Sequence, residues 1–311
     1  MAERRHLLDI DDLDRDGIER MLDMARSFAE VLRRPIKKVP SLRGKTVANL
    51  FYEPSTRTRL SFELAAKRLS ADVLNFTASA SSVEKGESLK DTALTLEAMG
   101  VDAVVVRHPV AGAPWLLRRW TEATILNAGD GMHAHPTQAL LDLFTMRERL
   151  GDLEGRTVAF VGDVLHSRVA RSGMKACRAV GMEVLAVGPP TLLPPAPVEG
   201  VEYVHDFEAA LPRCDVIYML RMQRERQQEG RVPSLEEYTR FYQLNAERMG
   251  RARPGALVMH PGPMNRGVEI AGEVADAPYA AVTAQVTAGV AVRMAALFTL
   301  LGGAEGGSEV A

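Results

Sequence analysis

Nine short apolar runs, each four to eight residues long, alternate along this chain with stretches of helical spacing. The runs are "KTVANLFY", "ADVLNF", "VDAVVV" and "ATILNA" in the first half, then "RTVAFVG", "MEVLAVG", "VEYV", "DVIYML" and "ALVMH". Between them "RLSFELAAKRL", "DTALTLEAMG", "QALLDLFTMRERLG" and "RVARSGMKACRAVG" place apolar residues at i, i+3 and i+4, the period of one helix face. A strand that reaches its neighbour through a helix returns parallel to it, so the alternation predicts an α/β fold with parallel sheets. A second series restarts at "GRTVAFVGD" after the long segment "HPTQALLDLFTMRERLG", which predicts two doubly wound parallel-sheet domains joined by interdomain helices. A chain of 311 residues that is 46% hydrophobic has the material for two cores. The expected bounds are 1–135 for the first domain, with a C-terminal helix at about 286–303 packing back on it, and 136–285 for the second. The tail 304–311 is expected to be disordered, and "PPTLLPPAPVEG" to be a surface loop.

Charge narrows the partners. Lys and Arg number 38 against 40 Asp and Glu, a net charge of −2, so no global basic field argues for nucleic acid or an anionic membrane, and any anion site must be local. The start "MAERRHLLDIDDLDRDG" lacks the apolar core of a signal peptide, and no window is read as a membrane span, which leaves a cytoplasmic address as the expectation. Cys177 and Cys214 sit in apolar segments without a CxxC or Cys/His cluster, and read as buried small hydrophobes, with neither disulfide nor zinc.

In open α/β sheets ligands sit at the carboxyl ends of strands, where helix N-termini present unpaired N–H groups. The stretch "FYEPSTRTRLSFE" lies at such a junction. Ser55 or Thr56 is in position to cap the helix, leaving the first-turn amides, the Thr56 and Thr58 hydroxyls and the Arg57 guanidinium around one small volume. A plain N-cap with solvated arginines is the simpler reading of such a start, but three hydroxyls interleaved with two arginines favour an anion cradle sized for phosphate. The glycines of a P-loop are absent, and no run is followed by GxGxxG, which disfavours a nucleotide or dinucleotide. Arg107 ends the uncharged run "VDAVVV" and needs an anion or carbonyl partner there. His135, before Pro136 at a helix start, reads equally well as a capping or core histidine. Arg221, in the charged run "RMQRERQQEGR", reads by composition as part of a solvated loop, and so does Lys85 in "SASSVEKGESLKDT".

Six motifs in register resemble the aspartate/ornithine transcarbamoylase family, and its aspartate branch over nearly the whole chain. They are "PSTRTR" at 54–59, "RHP" at 107–109, "HPTQ" at 135–138, "GD" at 162–163 with Arg168, "RMQRER" at 221–226 and "HPGP" at 260–263. The ornithine branch carries a cysteine in the last loop, and this chain has none there. The resemblance implies transfer of the carbamoyl group of carbamoyl phosphate to L-aspartate, early in de novo pyrimidine synthesis, with no metal or organic cofactor. The alternatives are a transcarbamoylase for another amino acid, such as ornithine, and a non-catalytic phosphate-binding paralogue.

By the same resemblance Ser55, Thr56, Arg57 and Thr58 hold the phosphate. Arg107, His135 and Thr58 point at the carbonyl oxygen, and Gln138 with the Pro261 and Gly262 carbonyls takes the carbamoyl NH₂. Arg168 holds the α-carboxylate of aspartate, and Arg221 with Gln223 the β-carboxylate. Glu53 and Arg226 occupy positions that pair on closure. Ser81 and Lys85 lie in a loop that reaches a neighbouring subunit's site, Lys85 touching both substrates, which implies a homotrimer with shared sites. The form "HPGPMNRG" also resembles that of chains that assemble further, with dihydroorotase or regulatory chains as the candidate partners.

Overall fold

The computed structural model describes residues 6–77, 88–222 and 234–302, and within them each of the nine apolar runs contributes a strand. The strands are β1 Thr46–Phe51, β2 Asp72–Thr77, β3 Ala103–His108, β4 Thr124–Asp130, β5 Thr157–Val161, β6 Glu183–Val187, β7 Val201–Val204, β8 Val216–Met219 and β9 Leu257–Met259. They form two sheets, ordered β2-β1-β3-β4 and β7-β6-β5-β8-β9, with every pairing parallel. Parallel strands covered on both faces have no solvent side to alternate toward, and this explains uninterrupted runs such as Ala103 to Val106, all buried.

Helices form the crossovers and caps: α1 Arg15–Val31, α2 Thr56–Arg68, α3 Leu89–Ala98, α4 Ala113–Arg118, α5 Pro136–Leu150, α6 Arg168–Ala179, α7 Phe207–Ala210, α8 Leu235–Tyr242, α9 Ala246–Arg251, α10 Gly272–Ala275 and α11 Val282–Leu301. The runs read from the sequence do not include α1, although Asp14 caps it through a bond from the Gly17 amide and Ile18, Met21, Leu22, Ala25 and Phe28 line its buried face.

The chain divides into two compact units, Met1–Leu141 with Val286–Ala311, and Asp142–Gln285. It crosses from one to the other inside α5 and returns inside α11. The first core gathers Leu8, Leu50, Val104, Val106, Leu117 and Ile125, and the second gathers Val161, Leu185, Val187, Ile217, Met219 and Ile270. Cys177 and Cys214 are buried, and burial holds both thiols above their ordinary range.

Two expectations need correction. Helix α11 is long and apolar enough to cross a membrane by length and composition, contrary to the reading that no window qualifies. The fold uses it as a core helix instead: Ala291, Val292, Met294, Ala295, Ala296 and Leu297 are buried, and the Arg293 guanidinium lies 5.0 Å from the Phe62 ring centroid. The segment from Pro189 is also more than a surface loop, because Leu192 and Leu193 turn inward and Leu192 packs with Met222 and Tyr238.

Candidate active site

Each sheet has one point where successive strands depart in opposite directions. In the first unit it lies between β1 and β3, in the second between β5 and β8. Loops leaving the carboxyl ends of those strands splay apart and open a crevice for a ligand. Four of the six motifs sit at these two points, while "HPTQ" follows the neighbouring edge strand β4 and "HPGP" the edge strand β9.

In the first unit β1 runs into α2 through the "PSTRTR" turn. Ser55 occupies the N-cap position with extended backbone, φ −159° and ψ 100°, yet its side chain makes no capping bond. The expected capping role is therefore not performed by its hydroxyl. Thr58, within the first turn, is buried, while Thr56 and Arg57 are exposed. Strand β3 brings Arg107 beside the end of β1, where Phe51 pairs with Arg107 in register and the Tyr52 amide donates to the Arg107 carbonyl at 2.9 Å.

The Arg107 side chain, half-buried, has both kinds of partner that an arginine at the end of a buried strand requires. Nη1 donates to the Ala128 carbonyl at 3.3 Å and Nη2 to Glu53 Oε1 at 2.5 Å. Glu53 thus pairs with Arg107. Arg226, its expected partner, lies outside the described residues, as do Ser81, Lys85 and Gln223.

His135 and Gln138 are buried at the start of α5, three residues apart, with the His135 carbonyl accepting from the Gln138 amide at 3.0 Å. The turn that delivers them is organised by Asp130, which is fully buried. Its carboxylate accepts from Asn127 Nδ2 and the Gly112 amide, both at 2.8 Å, and from the Ala134 amide at 3.1 Å. Sequence reasoning missed Asp130. Its only signal is a carboxylate set in an otherwise uncharged strand end, "ATILNAGDG".

In the second unit three neighbouring strands deliver the remaining motifs. Gly162 and Asp163 follow β5, Arg221 follows β8 and Pro261 with Gly262 follows β9. Gly162 has φ +120°, and a Cβ there would lie 2.5 Å from the Tyr238 hydroxyl, so backbone and neighbour both require glycine. The Ser167 hydroxyl caps α6 by accepting from the Ala170 amide at 3.1 Å, which sets Arg168, buried, as the first helical residue. Asp163 Oδ1 lies 2.7 Å from His166 Nδ1 and stiffens the loop between them. In the last loop His260 Nε2 is 3.1 Å from Glu269 Oε1, and the Gly262 amide donates to His260 Nδ1 at 2.8 Å.

Comparison with known proteins agrees with this geometry. The models of the aspartate/ornithine carbamoyltransferase carbamoyl-P binding domain and Asp/Orn binding domain match residues 5–148 and 154–300. The aspartate carbamoyltransferase catalytic subunit of Moorella thermoacetica is 59% identical over 304 residues, covering 97% of this chain and 99% of that one. That of Salinispora arenicola is 58% identical over 303 residues, covering 96% and 98%. The crystal structure of Trypanosoma cruzi aspartate transcarbamoylase with carbamoyl phosphate has a TM-score of 0.88 at 30% identity, covering 96% of each chain. That of the same enzyme with carbamoyl phosphate and aspartate has a TM-score of 0.87 at 30% identity, covering 96% and 97%. With its motifs at the carboxyl ends of the strands at and beside the two switch points, and with likeness over nearly its full length, this chain belongs to the aspartate/ornithine carbamoyltransferase family.

Proposed function

We propose that this chain is an aspartate carbamoyltransferase, which moves the carbamoyl group of carbamoyl phosphate onto the amine of L-aspartate and releases phosphate. The observation that carries the reading is a division of charge chemistry between two switch points: a hydroxyl and arginine cradle beside Arg107 after β1 and β3, and two arginines, Arg168 and Arg221, after β5 and β8. The names of the bacterial relatives and of the Trypanosoma cruzi complexes support it.

Ser55, Thr56, Arg57 and Thr58 take the phosphate, and Arg107, His135 and Thr58 donate toward the carbonyl oxygen. The amine lone pair of aspartate bonds to the carbamoyl carbon while the C=O π pair moves onto oxygen. Donors preset for that oxyanion are each worth about 3–4 kcal/mol, and Arg107 is preset by its bonds to Glu53 and Ala128. Collapse restores C=O and breaks the bond to the phosphate oxygen, which leaves with the electron pair and accepts the amine proton. The carbamoyl NH₂ is held by Gln138 and by the Pro261 and Gly262 carbonyls. Phosphate is already a good leaving group, so the reaction asks for no nucleophilic side chain and no cofactor. Ser81 and Lys85 serve the neighbouring site of a homotrimer.

Two arginines suit an amino acid with two carboxylates, Arg168 taking the α group and Arg221 with Gln223 the β group, and they repel the side-chain ammonium of ornithine. Purified protein supplied with carbamoyl phosphate should yield carbamoylated product with L-aspartate and none with L-ornithine. Product with ornithine alone would overturn the assignment.

A further inference from the structure

We infer that a buried hydrogen-bond chain, Tyr218 to Asp142 to Gln285 to the His260 loop, holds the Pro261 and Gly262 carbonyls in place and thereby sets the preference for the carbamoyl group over bare phosphate. The inference rests on the functional reading above. The Tyr218 hydroxyl donates to Asp142 Oδ2 at 2.8 Å, Gln285 Nε2 donates to Asp142 Oδ1 at 2.7 Å, and Gln285 Oε1 accepts from the His260 amide at 3.0 Å.

His260 extends the chain on its other side. Its Nδ1 accepts from the Gly262 amide, so the ring proton sits on Nε2 and is donated to Glu269 Oε1, which also accepts from the Asn265 amide at 2.6 Å. The five side chains are all at least nine-tenths buried. A buried polar chain is strong only when its members are satisfied together, and this one fixes the loop at residues 260, 262 and 265. Gly262 adopts φ +58°, which presents its backbone in a conformation that glycine reaches without strain.

The place of the chain in the fold gives it a second consequence. Asp142 and Gln285 are the first and last residues of the second unit, so their mutual bond ties together the points at which the polypeptide enters and leaves it. The loop carbonyls are therefore anchored to the two crossing helices as well as to β9. Backbone carbonyls facing an NH₂ reward a ligand that carries one and offer nothing to phosphate, so an error in their position costs affinity for one ligand only.

The test compares carbamoyl phosphate and inorganic phosphate by calorimetry on the full chain, with melting temperature measured alongside. Gln285→Glu sets a second carboxylate against Asp142 and should weaken carbamoyl phosphate binding by about tenfold, with phosphate affinity within about twofold of wild type. Adding Asp142→Asn lets the new carboxylate accept from both the position-142 amide and the His260 amide, and should restore the preference. Gln285→Met breaks the chain without adding charge and should show the same selective loss, which keeps the inference testable if Gln285→Glu does not fold. Parallel losses for both ligands, or unchanged discrimination in Gln285→Met, would overturn it. A wild-type chain that binds the two ligands equally overturns the functional reading and the inference together.

Discussion

At the scale of single residues, side chains acting on developing charge should separate from those that bind. His135→Ala should lower kcat by about 10²–10³ with carbamoyl phosphate affinity largely kept, because a donor to the oxyanion matters most once charge has formed. A change confined to KM would remove His135 from that role. His108, next to Arg107, makes a pH prediction. Burial lowers its pKa below the ordinary 6.5. Its Nδ1 also accepts from the Val110 amide at 3.0 Å. Because the folded chain keeps this ring neutral, the unfolded chain binds more protons just below pH 6.5, and stability falls as pH drops through that window. Urea unfolding at pH 7.5 and 5.5 should show a larger loss for wild type than for His108→Asn, which retains an acceptor and does not titrate; equal losses would end the argument. The need of Arg107 for a polar partner was legible in its position after an uncharged run, but the identity of that partner as Glu53 was not, since 54 residues separate them.

At the scale of elements, the apolar runs identified the central strands because buried parallel strands have no solvent face to interrupt them, whereas the edge strands β2 and β7 are partly exposed. Helices α8 and α9 were not legible in the same way: they lie beyond the charged run after Arg221, and each rests on its own cap, Ser234 and Asn245. Gly162 joins element to site, since it ends β5 where the chain turns toward Arg168. Gly162→Ala should cost about 1–3 kcal/mol from backbone strain alone, and more from the clash with the Tyr238 hydroxyl 2.5 Å from the added Cβ. Tyr238→Phe in the same chain should recover only the clash, as read by urea unfolding. Full recovery would show that φ +120° carries no strain here.

At the scale of the whole molecule, the proposed homotrimer makes a quantitative prediction. Arg57→Ala and Lys85→Ala chains should each be nearly inactive alone. A site is whole only when a Lys85→Ala chain supplies the cradle and an Arg57→Ala chain supplies the loop. With equal amounts and random reassembly this combination has probability one half times one half, so about one quarter of wild-type activity should return. Refolded mixtures as inactive as their parents, with hybrid trimers confirmed by native mass measurement, would end the shared-site claim.

The sequence by itself determined which segments are strands and that the sheets are parallel, and it marked the turns for which phosphate and carboxylate chemistry is proposed. Local chemistry suffices for these: strand burial, cap residues and arginines at strand ends can all be read over a few positions. Tertiary structure decided the strand order, and with it the switch points at β1/β3 and β5/β8, which four of the motifs occupy with the other two on the adjacent edge strands. It also decided the buried partners: Asp130 behind His135, and Asp142 with Gln285 behind the His260 loop. Asp142 and Gln285 are separated by 143 positions, and each sits in an apolar helix where nothing nearby needs it. A buried polar side chain takes its meaning from a partner that only folding brings within hydrogen-bond reach.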